Sequence, residues 1–176
     1  MASDILGEKY QGVLASDFYS AYNKLQARSK QRCLGHLLAE IKKVQKKNKF
    51  APESIGGIFC QELKTVLKET IELWNGYHEG TKAFKDLGKG KERAISRMME
   101  LLLLPIEHKD TRRVRRRIIK YNQELFTFLD NALVEPTNNR AKAAIEAKCY
   151  HEKDNLWQPF SFRGFKPCSD NEYNSD

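Results

Sequence analysis

The stretch GVLASDFYSAYN (residues 12–23) runs apolar, then stops on an acid, Asp17, ahead of Phe18, Tyr22 and Leu25 at helical spacing. A short, uniformly apolar run bounded in this way predicts a strand over 12–16, buried on both faces. Asp17 then stands at a strand-to-helix junction, where two chemistries are open to it. An aspartate there accepts hydrogen bonds from the free N–H groups of the first helical turn. A carboxylate at the carboxyl end of a buried strand is also where open α/β sheets place their sites. Two divalent cations clamping a phosphoryl transfer need several such acids, so Asp17 alone is insufficient.

Working outward, Ser3 or Asp4 is read as capping a short helix over 3–10, and QRCL (31–34) as a second brief strand. It leads into a helix whose apolar face is Leu37, Leu38, Ile41 and Val44, with lysines opposite. From Pro52 onward no segment alternates at period two. Leu63, Val66, Leu67, Thr70, Leu73, Trp74 and Tyr77 form one helical stripe, and a further helix over 81–104 closes at Pro105. Asp110 or Thr111 is expected to cap a long helix with Val114, Ile118, Tyr121, Leu125 and Phe128 inward and its arginines mostly outward. The final residues, 149–176, lack any period and are expected to be a poorly ordered tail.

The 176 residues carry 31 Lys and Arg against 23 Asp and Glu, a net charge of +8, which favours a polyanionic partner. The excess is concentrated in KKVQKKNK (42–49) and RRVRRR (112–117). Arg112, Arg113, Arg116 and Arg117 fall at i, i+1, i+4 and i+5, a spacing that lets one helix face meet successive phosphates; a solvated face is the plain alternative. The cysteines (Cys33, Cys60, Cys149 and Cys168) are widely and irregularly spaced, which argues for reduced thiols over a disulfide framework. No apolar run approaches the roughly 18–20 residues of a membrane span and no signal-peptide pattern opens the chain, so a soluble, cytoplasmic protein is expected.

Cys33 and His36 form C-x-x-H just past the second strand. Zinc would need two more ligands, and His78, His108 and His151 offer no partner spacing, so packing is the simpler role. In FLDNALVEPTNNRAKAAIEAK (128–148), Pro136, Thr137 and the Asn138–Asn139 pair read as a turn launching a short alanine-rich helix.

Three motifs, LASDFYSAYNKL (14–25), QRCLGHLLAEIKKV (31–44) and FLDNALVEPTNNRAKAAI (128–145), resemble in order and spacing the central domain of bacterial insertion-sequence transposases of the sixty-six family. The resemblance covers roughly residues 4–148. It implies a DDE enzyme with an RNase H-like core that cuts and joins DNA using Mg2+, with DNA as partner and Asp17 as the second catalytic, metal-binding carboxylate. The first catalytic aspartate of the family would lie upstream of this chain. The third acid, a glutamate in an N-N-x-A-E-R element, is replaced here by Lys142 in NNRAKA. Cys33 and His36 match a family C-W-A-H-like element, with Leu34 at the tryptophan position. Permissible codons for CYHEKDNLWQP, read one nucleotide later, can give VIMKKIIFGNP, which looks like the family's continuation. Residues after about 141 would then be an out-of-frame product of a pseudogene-like fragment.

The resulting expectation is a strongly α-rich α/β fold, a partial RNase H-like core over 1–148 with a helical insertion at about 52–127. The chain is expected to be catalytically inactive alone and to bind no Mg2+ stably. Its rivals are a small basic helical protein that binds nucleic acid without chemistry, and an inert relic.

Overall fold

The computed structural model describes residues 10–138. The helix expected to begin near residue 3, the alanine-rich helix after 138, Lys142 and the tail lie outside them. Two strands, β1 (Tyr10–Ser16) and β2 (Ala27–Arg32), pair in parallel, with Leu14 opposite Lys30 and Ser16 opposite Arg32. A bulge interrupts the register between Tyr10 and Val13. The ring of Tyr10 folds over Gly12 there, so closely that a Cβ would lie 2.6 Å from it. Parallel strands usually need a crossover of about a dozen or more residues. Residues 17–26 suffice here because a 3-10 turn, Ser20–Lys24, reverses the chain tightly, and Lys30 Nζ donates to the carbonyls of Tyr22 and Asn23 at its end.

Four main helices follow: α1 (Leu34–Asn48), α2 (Ile55–His78), α3 (Phe84–Leu102) and α4 (Lys109–Tyr121). A 3-10 turn, Asn122–Glu124, and a one-turn helix, α5 (Thr127–Asp130), come after them. The helical stripes read from the sequence supply the core, in which Leu37, Ile41, Phe59, Leu63, Leu67, Ile118 and Phe128 are wholly buried. The principal helix pair is α2 with α3. Its axes come close at Gly90, where a Cβ would stand 2.1 Å from Leu73 Cδ2. Helix α2 starts earlier than its apolar stripe, since Ser54 Oγ accepts from Gly57 N–H, and Gly80 (φ 75°) turns the chain away beyond its end.

Four expectations are corrected. β1 is only half buried, because among the described residues it pairs along one edge alone. β2 lies earlier than 31–34, in ARSKQR, whose polar composition hides a strand stabilised by its neighbours. The cap of α4 is His108, whose Nδ1 accepts from Asp110 N–H at 3.2 Å, while Asp110 and Thr111 sit inside the first turn. The long helix also breaks after Tyr121. Leu125, Phe126, Phe128 and Leu129 are all buried, more than one face of a continuing helix could hide. The side chain of Gln31 replaces the missing helix bonds, donating to the Leu125 carbonyl and accepting from Phe128 N–H, each at 3.0 Å. Thr127 Oγ1 donates to the Lys30 carbonyl at 2.6 Å, so the break docks segment 125–128 onto β2.

Candidate functional site

Asp17 follows the buried end of β1, and its Oδ1 accepts from Tyr19 N–H at 2.8 Å. This is an aspartate turn that sets up the 3-10 turn; the residue at the true cap position is Tyr19. The carboxylate therefore organises its own junction while remaining half exposed.

Beneath it lies a residue that the sequence did not single out. Arg32, directly opposite Ser16 in the sheet register, is fully buried. Its guanidinium donates to the Asp17 carbonyl (2.7 Å), Ser16 Oγ (3.1 Å), Asn23 Oδ1 (2.7 Å) and Glu124 Oε2 (2.5 Å). It also lies 4.4 Å from the centre of the Tyr121 ring. A buried charge is tolerated only when paired and hydrogen-bonded, and both conditions are met. Asn23 bridges onward to the Tyr121 hydroxyl at 3.1 Å. Burial pushes the Tyr121 phenol upward, but the Asn23 hydrogen bond and the charges of Lys120 and Arg32 outweigh it, leaving its pKa below the ordinary tyrosine value. The one sequence signal for Arg32 was its place within the expected strand QRCL (31–34), ahead of the apolar pair Cys33 and Leu34.

The second and third motifs arrive at the same place. Cys33 N–H donates to the Ser16 carbonyl at 2.8 Å, continuing the sheet by one residue. Its buried thiol donates to Asn138 Oδ1 (3.0 Å) and accepts from Asn138 N–H (3.3 Å). Leu34 N–H, in the first turn of α1, donates to the Pro136 carbonyl at 2.9 Å. Asp17, Cys33 and the Pro136–Asn138 turn are thus brought together from widely separated parts of the chain. His36 is exposed and takes no part. Among the described residues, no three His, Cys, Asp or Glu side chains gather as a metal-binding group.

The two basic segments also meet, because α1 and α4 pack antiparallel. Glu40 pairs with Arg117 and, at 3.5 Å, with Arg113, while Lys47 Nζ and Asn48 Nδ2 each donate to Asp110 Oδ2 at 3.0 Å. The hydrogen bonds from Asn48 and then Lys47 hold the Asp110 carboxyl down at about 2. Arg117 also lies over the Phe18 ring at 5.1 Å. Of the arginines singled out from the sequence, Arg113 and Arg117 are committed to Glu40. Arg112 and Arg116 are exposed and without an ion pair among the described residues. No described helix is long and apolar enough to cross a membrane.

A family model described as "Transposase IS66 family" matches residues 1–156, most of the chain. No curated protein and no solved structure matches it.

Proposed function

Because the chain belongs to the IS66 transposase family, we propose that it is a DNA-binding version of the family's catalytic domain that does not itself cut or join DNA. The observation that carries this reading is the acid complement around Asp17. Asp17 matches the family's second catalytic carboxylate, and Lys142 stands where the third acid, a glutamate, belongs. An ammonium group in that position opposes divalent ions directly, since charges of like sign within a few ångströms repel.

The family implies Mg2+ in its intact enzymes, and Mg2+ requires near-octahedral oxygen ligation through carboxylates and water. Among the described residues no three acids, histidines or cysteines gather around Asp17, and Glu124, an acid of the same network, is bound to Arg32. This donor set does not fit a two-ion site. What the junction does well is hold its backbone: Arg32, Cys33 and Asn138 fix the end of β1 and the start of α1. The parallel strand pair with an acid at the carboxyl end of β1 supports an RNase H-like origin, with α2, α3 and α4 as the helical insertion.

The test is nicking of supercoiled plasmid by the purified chain with Mg2+ or Mn2+, alongside a DNA mobility shift. Binding without cleavage is expected, and Lys142→Glu alone is expected not to restore cleavage. Cleavage that disappears in Asp17→Ala, or an absence of DNA binding at low salt, overturns the reading.

A further inference from the structure

We infer that the seam between α1 and α4 is a track for the phosphate backbone of one nucleic-acid strand, ending at Asp17, with Glu40 as its internal counter-ion. This rests on the DNA-binding reading above and assigns the surface responsible. Glu40 and Lys47 both reach α4, so their strip of α1, at spacing i, i+3 and i+7, includes the exposed Lys43. Arg113 reaches α1, and its strip of α4 includes Lys109, Arg116 and Lys120, all exposed. With Arg117, seven cations therefore flank one seam. Asp110 is buried at the seam's far end, and Glu40 lies between the two helices with its side chain only 13% exposed.

The direction follows from what the helices touch. Cys33, the cap of α1, is hydrogen-bonded to Ser16, and Arg117 and Tyr121 near the end of α4 pack on Phe18, the neighbour of Asp17. The seam then runs away along α4 toward Lys109, roughly 16 Å at about 1.5 Å per residue. That is about five phosphates of one strand at ~3.4 Å of duplex axis each. A row of cations along the seam suits a polyphosphate backbone better than a compact anion, which would occupy one point of it.

The experiment is a fluorescence-anisotropy titration of a labelled DNA duplex at several salt concentrations with three variants of the full chain. The first changes Lys43, Lys109, Arg116 and Lys120 to Gln. A charge-matched control changes Lys42, Lys68, Lys85 and Lys89, exposed residues outside the two seam strips. The third is Glu40→Gln, which releases Arg113 and Arg117. Each neutralised phosphate contributes about 0.9 to the slope of log affinity against log salt, so the seam variant should lower the slope by about two to four units and the control by less than one. Glu40→Gln should raise it by about one. Circular dichroism checks that each variant keeps its helices. Equal losses in seam and control variants would reduce the effect to bulk charge and overturn the track while leaving DNA binding intact. A lower slope in Glu40→Gln would overturn the counter-ion role. Wild-type chain that does not bind at all overturns both this inference and the function on which it rests.

Discussion

The strand junction and the α2–α3 pair are held by different physics. Between α2 and α3 the contact is apolar and periodic, and its charges lie outside, as where Arg97 pairs with Glu62 and Glu69. At the junction the ties are polar, buried and long in sequence: Arg32 to Glu124, Gln31 to Leu125 and Phe128, Cys33 to Asn138. The helix pair tolerates change at any one polar position. The junction concentrates its stability in a few side chains whose loss leaves buried partners unsatisfied.

The largest expected effect is therefore at Arg32. Arg32→Ala should cost about 3–5 kcal/mol in urea unfolding, because it strips a buried pair of its cation and frees the Asp17 carbonyl, Asn23 and Glu124 together. Arg97→Ala, which removes the surface pairs of the helix region, should cost less than about 1 kcal/mol. Similar costs for the two would erase the contrast.

Next in size is Gln31→Leu, which keeps the volume but deletes both bonds to the chain break; about 2 kcal/mol is expected. Within the helix region, Gly57→Ala tests the opposite kind of sensitivity. Alanine favours a helix by roughly 1 kcal/mol, yet its Cβ would lie 2.2 Å from the Ala51 carbonyl oxygen, so a net loss of about 1–2 kcal/mol is expected. A gain would show that the loop before α2 yields easily.

The smallest effect is set by pH. Asp110 is held at about 2, below its unfolded value of roughly 3.9, so its contribution is present above pH 4 and fades as the pH falls toward 2. Asp110→Asn should flatten that part of the stability profile and leave the Arg32 network unaffected. Cys60 behaves in the opposite sense. Burial, partly offset by Lys64, lifts its thiol to about 11, so it should resist alkylation at pH 8 until the helix core opens.

The same contrast explains what the sequence revealed. Leu63, Val66, Leu67 and Thr70 are all buried on α2, as their spacing requires, since helical periodicity is a local signal. Arg32 looked like any basic residue in a short strand, because its partners Asn23, Glu124 and Tyr121 become neighbours only after folding. Gln31 was equally silent, and so the break after Tyr121 was missed. Asp17 was found through its place at the end of an apolar run, but its hydrogen bond to Tyr19, two residues on, made a turn and not the expected helix cap. In the arginine run, spacing identified a basic face, yet Glu40, distant in sequence, decides which members remain available.

The ties that close the junction also set an order in time. The bond between Cys33 and Asn138 spans 105 residues and the pair of Arg32 with Glu124 spans 92, whereas α2 and α3 are neighbours in sequence. Closing long loops costs chain entropy before any bond is gained, so the helix pair should form early and the junction late. Weakening a late contact mainly speeds unfolding. Cys33→Ala should accordingly shorten the lifetime of the native chain while leaving its refolding rate nearly unchanged, so that the surroundings of Asp17 are the last part of the molecule to assemble and the first to open.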